Sequence, residues 1–291
     1  MNHLAGLAIP PPASLGDAAE GALAEFRAAI DALEGAEAGG KPEFAASSAA
    51  LPSSGWRPLD DWTLLRFLRA DVRKGKVNLE ASVARLTAAL AWRRELALDD
   101  VLAHPPPAVE RYEALRVRRW TGRAHDGRPV QFERLGQFLG SGNGGAFTED
   151  EWVHFYAHDI EVTFVEMRAA AEALGRDVTT YVFCGDLGGL LSLGAVRRVM
   201  GAVPLITALA KRVESHYPEI AGPIILFNTG AVIAKAFQWV RPMLDPVTME
   251  KVELHAGVPT ERFLELMPAA VLPECYGGAN AATSYPETGR A

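Results

Sequence analysis

Gly140-Ser-Gly142-Asn-Gly144-Gly145 has the spacing of a dinucleotide-binding fingerprint, in which glycines let a turn approach a pyrophosphate. That chemistry needs the motif directly at a strand end, with a helix starting inside it so that backbone N–H groups meet the phosphates. Here Gly136 to Leu139 intervene, and the capping box Thr148-x-x-Glu151 places the next helix start after the motif. The acid expected about 20 residues further on would be Glu161 or Glu166, both inside that helix. The motif therefore reads as a loop. His154 and His158 stand four apart on the same helix, as two metal ligands could. Without an HExxH or a third ligand they read as ordinary histidines. Asp186 follows an apolar strand and has the chemistry of an acid or base, but Asp186-Leu-Gly-Gly189 has the make-up of a turn that its own Asp stabilises. There is no GxSxG elbow and no GxxxxGK[ST] phosphate loop. These patterns lead us to expect no catalytic residue, metal or cofactor, and no enzymatic activity.

The elements that would carry these residues fall into two groups. Leu23, Phe26, Ile30 and Leu33 recur at helical spacing after a Pro- and Ala-rich leader. Beyond a Pro/Ser/Gly/Ala linker, Asp60-Asp61 is a cap signal for a helix through Ala70. A further helix carries Leu79, Val83, Leu86 and Leu90. After His104-Pro-Pro-Pro107 the pattern changes. Leu115–Trp120 and Val130–Glu133 alternate as strands around the turn Asp126-Gly127-Arg128-Pro129. Thr179–Cys184, Ile224–Asn228 and Lys251–Leu254 read as further strands, separated by stretches of helical period. Strands divided by helices of this length imply crossovers and a largely parallel sheet.

Residues Ala231 to Met243 are unusually apolar. Val232, Ile233, Phe237, Trp239, Val240 and Met243 are interrupted by only two charges, Lys235 and Arg241. The apolar arc is wider than one packing face needs. It suits a helix buried in the core, and equally a lid over a pocket, moving about Gly230 and Pro242.

Bulk properties narrow the partners. A net charge of -7 argues against a nucleic-acid binder and against charge-driven adhesion to anionic membranes. Two cysteines, neither in a CxxC, indicate a reduced, cytoplasmic chain. The N-terminus makes a poor signal peptide, and Ala202–Ala210, a largely apolar run, is far short of the roughly 20 residues a membrane span needs.

Taken in order, several segments resemble the CRAL-TRIO lipid-binding family. They are Asp60–Ala70, Ala91-Trp92-Arg93, Asp126–Val130, Tyr217-Pro218-Glu219, Asn228, Pro242-x-Leu-Asp-Pro-Val-Thr248-x-x-Lys251 and Leu272-Pro273-Glu-Cys-Tyr276-Gly277-Gly278. The resemblance implies an α/β fold in which a small all-helical N-terminal lobe packs on a mainly parallel-sheet lobe with an apolar pocket and a lid helix. It implies a flexible leader (1–16), a helical lobe (17–107), a lipid-binding domain (108–279) and a flexible tail (280–291). The lid matches Ala231–Met243, so Val232, Ile233, Phe237 and Val240 would line the pocket, with Ile225 and Phe227 as its floor. Lys251, Thr248 and Glu219 match headgroup contacts of phosphatidylinositol-binding members. Lys76 is the equivalent of a further basic contact, at a place where Asp71–Lys76 departs from the family spacing. Hydroxyl residues that a choline headgroup would need are replaced by Leu190-Leu191-Ser192-Leu193, which favours phosphatidylinositol or a more apolar ligand. The implied protein is a monomer that carries one lipid or hydrophobic small molecule between membranes, touching them transiently. The alternatives are a lipid-gated interaction module without net transport, and a nucleotide-dependent enzyme using the glycine loop at 140–145.

Overall fold

The computed structural model describes residues 16–36, 60–115, 117–140, 147–190, 214–241 and 246–281, with positions 194, 197, 201, 207–209, 211 and 212 between them. The described chain forms two units, the first ending at Trp92 and the second beginning at Arg93.

In the first unit, α1 (Gly16–Ala36) packs on α2 (Asp61–Ala70). Phe26 and Ile30 are buried as their helical spacing predicts, while Leu33 is exposed. Asp60 caps α2, its carboxylate accepting the Thr63 N–H at 2.8 Å. The departure from the family spacing at Asp71–Lys76 is a small hairpin, β1 (Val72–Arg73) against β2 (Lys76–Val77). Its turn residues Lys74 and Gly75 have φ of 52° and 73°, the left-handed pair that a two-residue hairpin loop demands. Asp71 holds it to α3 (Leu79–Glu95), accepting hydrogen bonds of 2.8 and 3.1 Å from Arg85.

In the second unit, α4 (Pro107–Ala114) leads into a five-stranded sheet. Its strands are β3 (Arg118–Arg123), β4 (Pro129–Glu133), β5 (Tyr181–Asp186), β6 (Ala221–Phe227) and β7 (Val252–Leu254), side by side in that order. β3 is antiparallel to β4 and every later pairing is parallel. The expected fold class, α/β with a mainly parallel sheet, is the one observed. Strand β3 starts later than the alternation suggested because the Leu115 N–H bonds the Tyr112 carbonyl and finishes α4.

Between β4 and β5 lie α5 (Leu135–Gly140) and α6 (Glu149–Leu174). The capping box forms as written: Thr148 Oγ1 accepts the Glu151 N–H at 3.2 Å and Glu151 Oε2 accepts the Thr148 N–H at 2.8 Å. Thr148→Ala removes one of these bonds, so we expect a loss of about 1 kcal/mol in urea unfolding. An unchanged midpoint would mean that the cap carries no stability. Between β6 and β7 lie α7 (Gly230–Val240) and α8 (Pro246–Glu250), and α9 (Thr260–Leu266) follows β7.

The two faces of the sheet differ sharply. Residues paired across parallel strands share a face, and successive residues alternate. Val130, Phe132, Val182, Cys184, Ile225 and Phe227 occupy one face and are each at most 1% exposed. They are sealed by Phe263 and Leu266 of α9 with Leu272 and Tyr276. The other face carries Gln131 and Glu133 on β4, where α6 packs over the strand. Further along the same face, Tyr181, Phe183, Ile224, Leu226 and Val252 are only partly buried, and Leu254 is 38% exposed. Apolar side chains of the central strand are thus sealed on one side of the sheet and partly open on the other.

Candidate functional site

Glu219, Thr248 and Lys251 come together where β6 and β7 begin. Lys251 lies in the turn between α8 and β7, with Nζ 3.3 Å from Glu219 Oε2. Both side chains are about one-quarter exposed (26% and 27%), so the pair is open to solvent. Its backbone is fixed: the Lys251 N–H donates to the Thr248 carbonyl at 3.0 Å, and the Lys251 carbonyl accepts the Ile224 N–H at 2.8 Å. The Lys ammonium has three donors, and Glu219 uses one. An exposed pair of this kind contributes at most about 1 kcal/mol to stability. Glu219 also has φ of 55°, a left-handed conformation that a non-glycine residue adopts only when its surroundings hold it. Lys76, by contrast, is exposed on β2 in the first unit.

What holds the Glu219 turn was not expected from the sequence. Tyr217 is buried, and its hydroxyl donates to Glu161 Oε1 on α6 at 2.7 Å. Glu161 is completely buried and ion-paired with Arg93, which also reaches Asp99 at 2.8 Å. Burial alone would lower the Arg93 pKa, but Glu161 and Tyr217 beside it raise it above its ordinary value. Burial, together with the Glu161 charge, pushes the Tyr217 phenol well up, so it stays a hydrogen-bond donor. A glutamate inside the apolar stripe of a helix is the signal that could have revealed this network, because such a charge requires a partner.

The apolar part of the site requires a correction. Ile225 and Phe227, expected as pocket floor, lie on the sealed face against Phe263 and Tyr276. Leu226 points the other way and packs beside Leu187, Leu190 and Ile233 of α7. Ile224 and Leu226 lie on the opposite side of the sheet from Ile225 and Phe227, because the strand period of two puts neighbours on opposite sides. Ile233 is 8% exposed and Phe237 is partly buried. The side chains of Val232 and Val240 lie outside the described residues. The chain turns into α7 through Asn228 and Gly230, with φ of 54° and 56°. Asn228 donates to Asp186 Oδ1 at 2.8 Å, the Gly188 N–H donates to the same oxygen at 2.8 Å, and the Tyr276 hydroxyl donates to Oδ2 at 2.8 Å. Asp186 thus stabilises its turn, as its sequence context predicted, and also ties β5 to β6 and to the C-terminal segment.

The remaining candidates stay apart from this site. Residues 141–145 of the glycine motif lie outside the described residues; Gly140 ends α5, so a helix precedes the motif where a fingerprint needs a strand. His154 Nδ1 lies 2.8 Å from the Asp150 carbonyl on its own helix. Burial holds the His158 imidazole below its ordinary pKa, opposed by Asp159 and Glu113. No group of three His, Cys, Asp or Glu suited to a metal occurs among the described residues. Cys184 and Cys275 are both free thiols. No helix among the described residues is long and apolar enough to cross a membrane.

Fold and site together define an α/β domain whose sheet has one sealed face and, on the other, partly buried apolar residues beside α7. The chain belongs to the CRAL/TRIO domain family, whose pattern matches residues 117–278. It is 30% identical over 235 residues to the SEC14 cytosolic factor of Kluyveromyces lactis, covering 78% of this chain and 74% of that protein. The SEC14 cytosolic factor of Candida glabrata is 28% identical, covering 92% and 80%. The phosphatidylinositol/phosphatidylcholine transfer protein SFH12 of Arabidopsis thaliana is 28% identical, covering 76% of this chain and 40% of its own. The crystal structure of Sfh5 superposes with a TM-score of 0.67 over 90% of this chain and 88% of that one, at 15% identity, which shows a common fold.

Proposed function

We propose that this chain binds a single lipid and transfers it between membranes, with phosphatidylinositol the favoured ligand. The observation that carries this reading is the contrast between the two faces of one sheet: at most 1% exposure for Ile225 and Phe227, and partial exposure for Ile224 and Leu226, which alternate with them. Moving an acyl chain of about 16 carbons into water costs on the order of 13 kcal/mol, at about 0.8 per methylene. A cavity as apolar as the bilayer removes most of that cost and makes exchange close to neutral. Acyl chains are alike, so selectivity must come from the headgroup. Lys251 would pair with a phosphate, Thr248 would hydrogen-bond it, and Glu219 would accept from inositol hydroxyls or orient the Lys251 ammonium. The relatives named for phosphatidylinositol and phosphatidylcholine transfer support the lipid class.

In this reading 17–107 is the helical lobe and 108–279 the lipid-binding domain, with 1–16 and 280–291 as leader and tail. The protein works as a cytoplasmic monomer that meets membranes transiently. Mass spectrometry of organic extracts of the purified protein, with transfer between donor and acceptor vesicles, tests it. Absence of both bound lipid and transfer would sink the proposal, while binding without transfer would support a lipid-gated module. Lys251→Ala removes a charge-assisted bond worth about 1.5–3 kcal/mol, so phosphatidylinositol binding should weaken roughly tenfold to a hundredfold. Loading of an uncharged isoprenoid should hardly change. An equal loss for both would remove Lys251 from the headgroup site.

A further inference from the structure

Arg118 opens β3 and runs into the interior of the second unit, its side chain only 11% exposed. Its guanidinium carbon lies 5.2 Å from the ring centre of Tyr112, 5.0 Å from that of Phe155 and 5.9 Å from that of Tyr156. It gives two hydrogen bonds to Glu133 Oε2, at 2.6 and 3.1 Å, and is ion-paired with Asp159. Burial alone would lower its pKa, but Asp159 and Glu133 raise it well above the ordinary value, so it is a permanent cation. Tyr112, Phe155, Asp159 and Arg118 itself line a cleft of about 230 Å³, with Trp120 and His158 on its walls.

Three aromatic faces and two carboxylates around one cation form the arrangement by which proteins capture quaternary ammonium groups. Here the cation is the protein's own. We propose that Arg118 is a built-in plug that fills a cation-recognition cage, so that ligands bearing a quaternary ammonium are excluded and neutral polyol or phosphate headgroups are not. The inference deepens the lipid-binding reading and takes its physiological meaning from it. A quaternary ammonium has no N–H, and so cannot replace the hydrogen bonds that Arg118 gives Glu133. Displacing the guanidinium would leave those bonds unmade, which makes the plug selective as well as steric.

The test uses the full chain as wild type, Arg118→Lys, Arg118→Ala, and Arg118→Ala with Glu133→Gln, the last keeping the net charge of the network. Tetramethylammonium chloride is titrated at constant ionic strength while tryptophan fluorescence is followed, since Trp120 lines the cleft. Wild type and Arg118→Lys should show no saturable response, whereas the alanine variants should bind at least about thirtyfold more tightly. Tetramethylammonium should also raise their unfolding midpoints. Vesicles of phosphatidylcholine and of phosphatidylinositol then separate lipid headgroups from free quaternary ammonium compounds, with choline lipid loading appearing only when Arg118 is removed. Equal binding by wild type, or none by a folded alanine variant, would overturn the proposal. So would failure of both alanine variants to fold even with tetramethylammonium present. If the alanine variants bind tetramethylammonium but no form loads any lipid, the cage stands and the lipid-transfer reading fails.

Discussion

Phe227→Ala lowers the unfolding free energy by about 3–5 kcal/mol, whereas Leu226→Ala, one position away on the same strand, costs only about 1–2 kcal/mol. Phe227 is fully buried against Phe263 and Tyr276, with ring centres 5.2 and 4.9 Å away, so truncation opens a cavity that its neighbours cannot fill. Leu226 loses fewer contacts because its face is partly open. The order reverses for ligand: Leu226→Asp places a charge on the proposed cavity floor and should abolish lipid loading, since burying an unpaired carboxylate against acyl chains is prohibitive. Lipid should also stabilise wild type and Phe227→Ala by similar increments while leaving Leu226→Asp unchanged. Urea unfolding of each variant, with and without lipid-loaded protein, measures both effects. Equal destabilisation by the two alanine substitutions would contradict the two-faced sheet.

Glu161→Ala should cost about 3–5 kcal/mol, because it leaves Arg93 as a buried charge whose carboxylate partner is gone. Arg93 is 4% exposed, and its other carboxylate, Asp99, is 49% exposed and so screened by water. The Tyr217 hydroxyl also loses its acceptor. Glu161→Gln should recover part of the loss, since an amide oxygen still accepts from Tyr217. Replacing both ends, Arg93→Met with Glu161→Leu, should cost much less than the sum of the single changes, because no charge is then stranded. Thermal unfolding of this cycle gives the coupling directly. Strict additivity would show that the pair does not act as a unit. The proposed headgroup site gives a second readout: with Tyr217 released, the left-handed Glu219 turn loses its anchor, so phosphatidylinositol binding should fall in Tyr217→Phe while an isoprenoid still loads.

Much of this architecture is written locally. The capping box at Thr148, the cap at Asp60, the turn at Asp126–Pro129 and the helix from Thr260 to Leu266 depend on neighbours three or four residues apart, and the structure has them as read. The Glu219 and Lys251 pairing was legible only through the order of motifs, since 32 residues separate them. Which side of β6 is sealed was not legible at all. Ile224, Ile225, Leu226 and Phe227 are apolar without alternation, so period-two reasoning fixes that neighbours diverge but not which pair is sealed. That choice is made by α9 and the segment ending at Tyr276, which cover Ile225 and Phe227 from far along the chain. The same holds for Arg118 and Glu161, whose charges look like solvated residues until three elements close around each.

By itself, then, the amino-acid sequence determined the elements, their parallel arrangement and the family, because caps, turns and hydrophobic period act over a few residues. Tertiary structure alone decided which apolar face stays open, which charges are buried in pairs, and that an aromatic cage is already filled by Arg118. Those outcomes depend on packing between residues tens of positions apart, where burial, rather than residue type, decides what a side chain does.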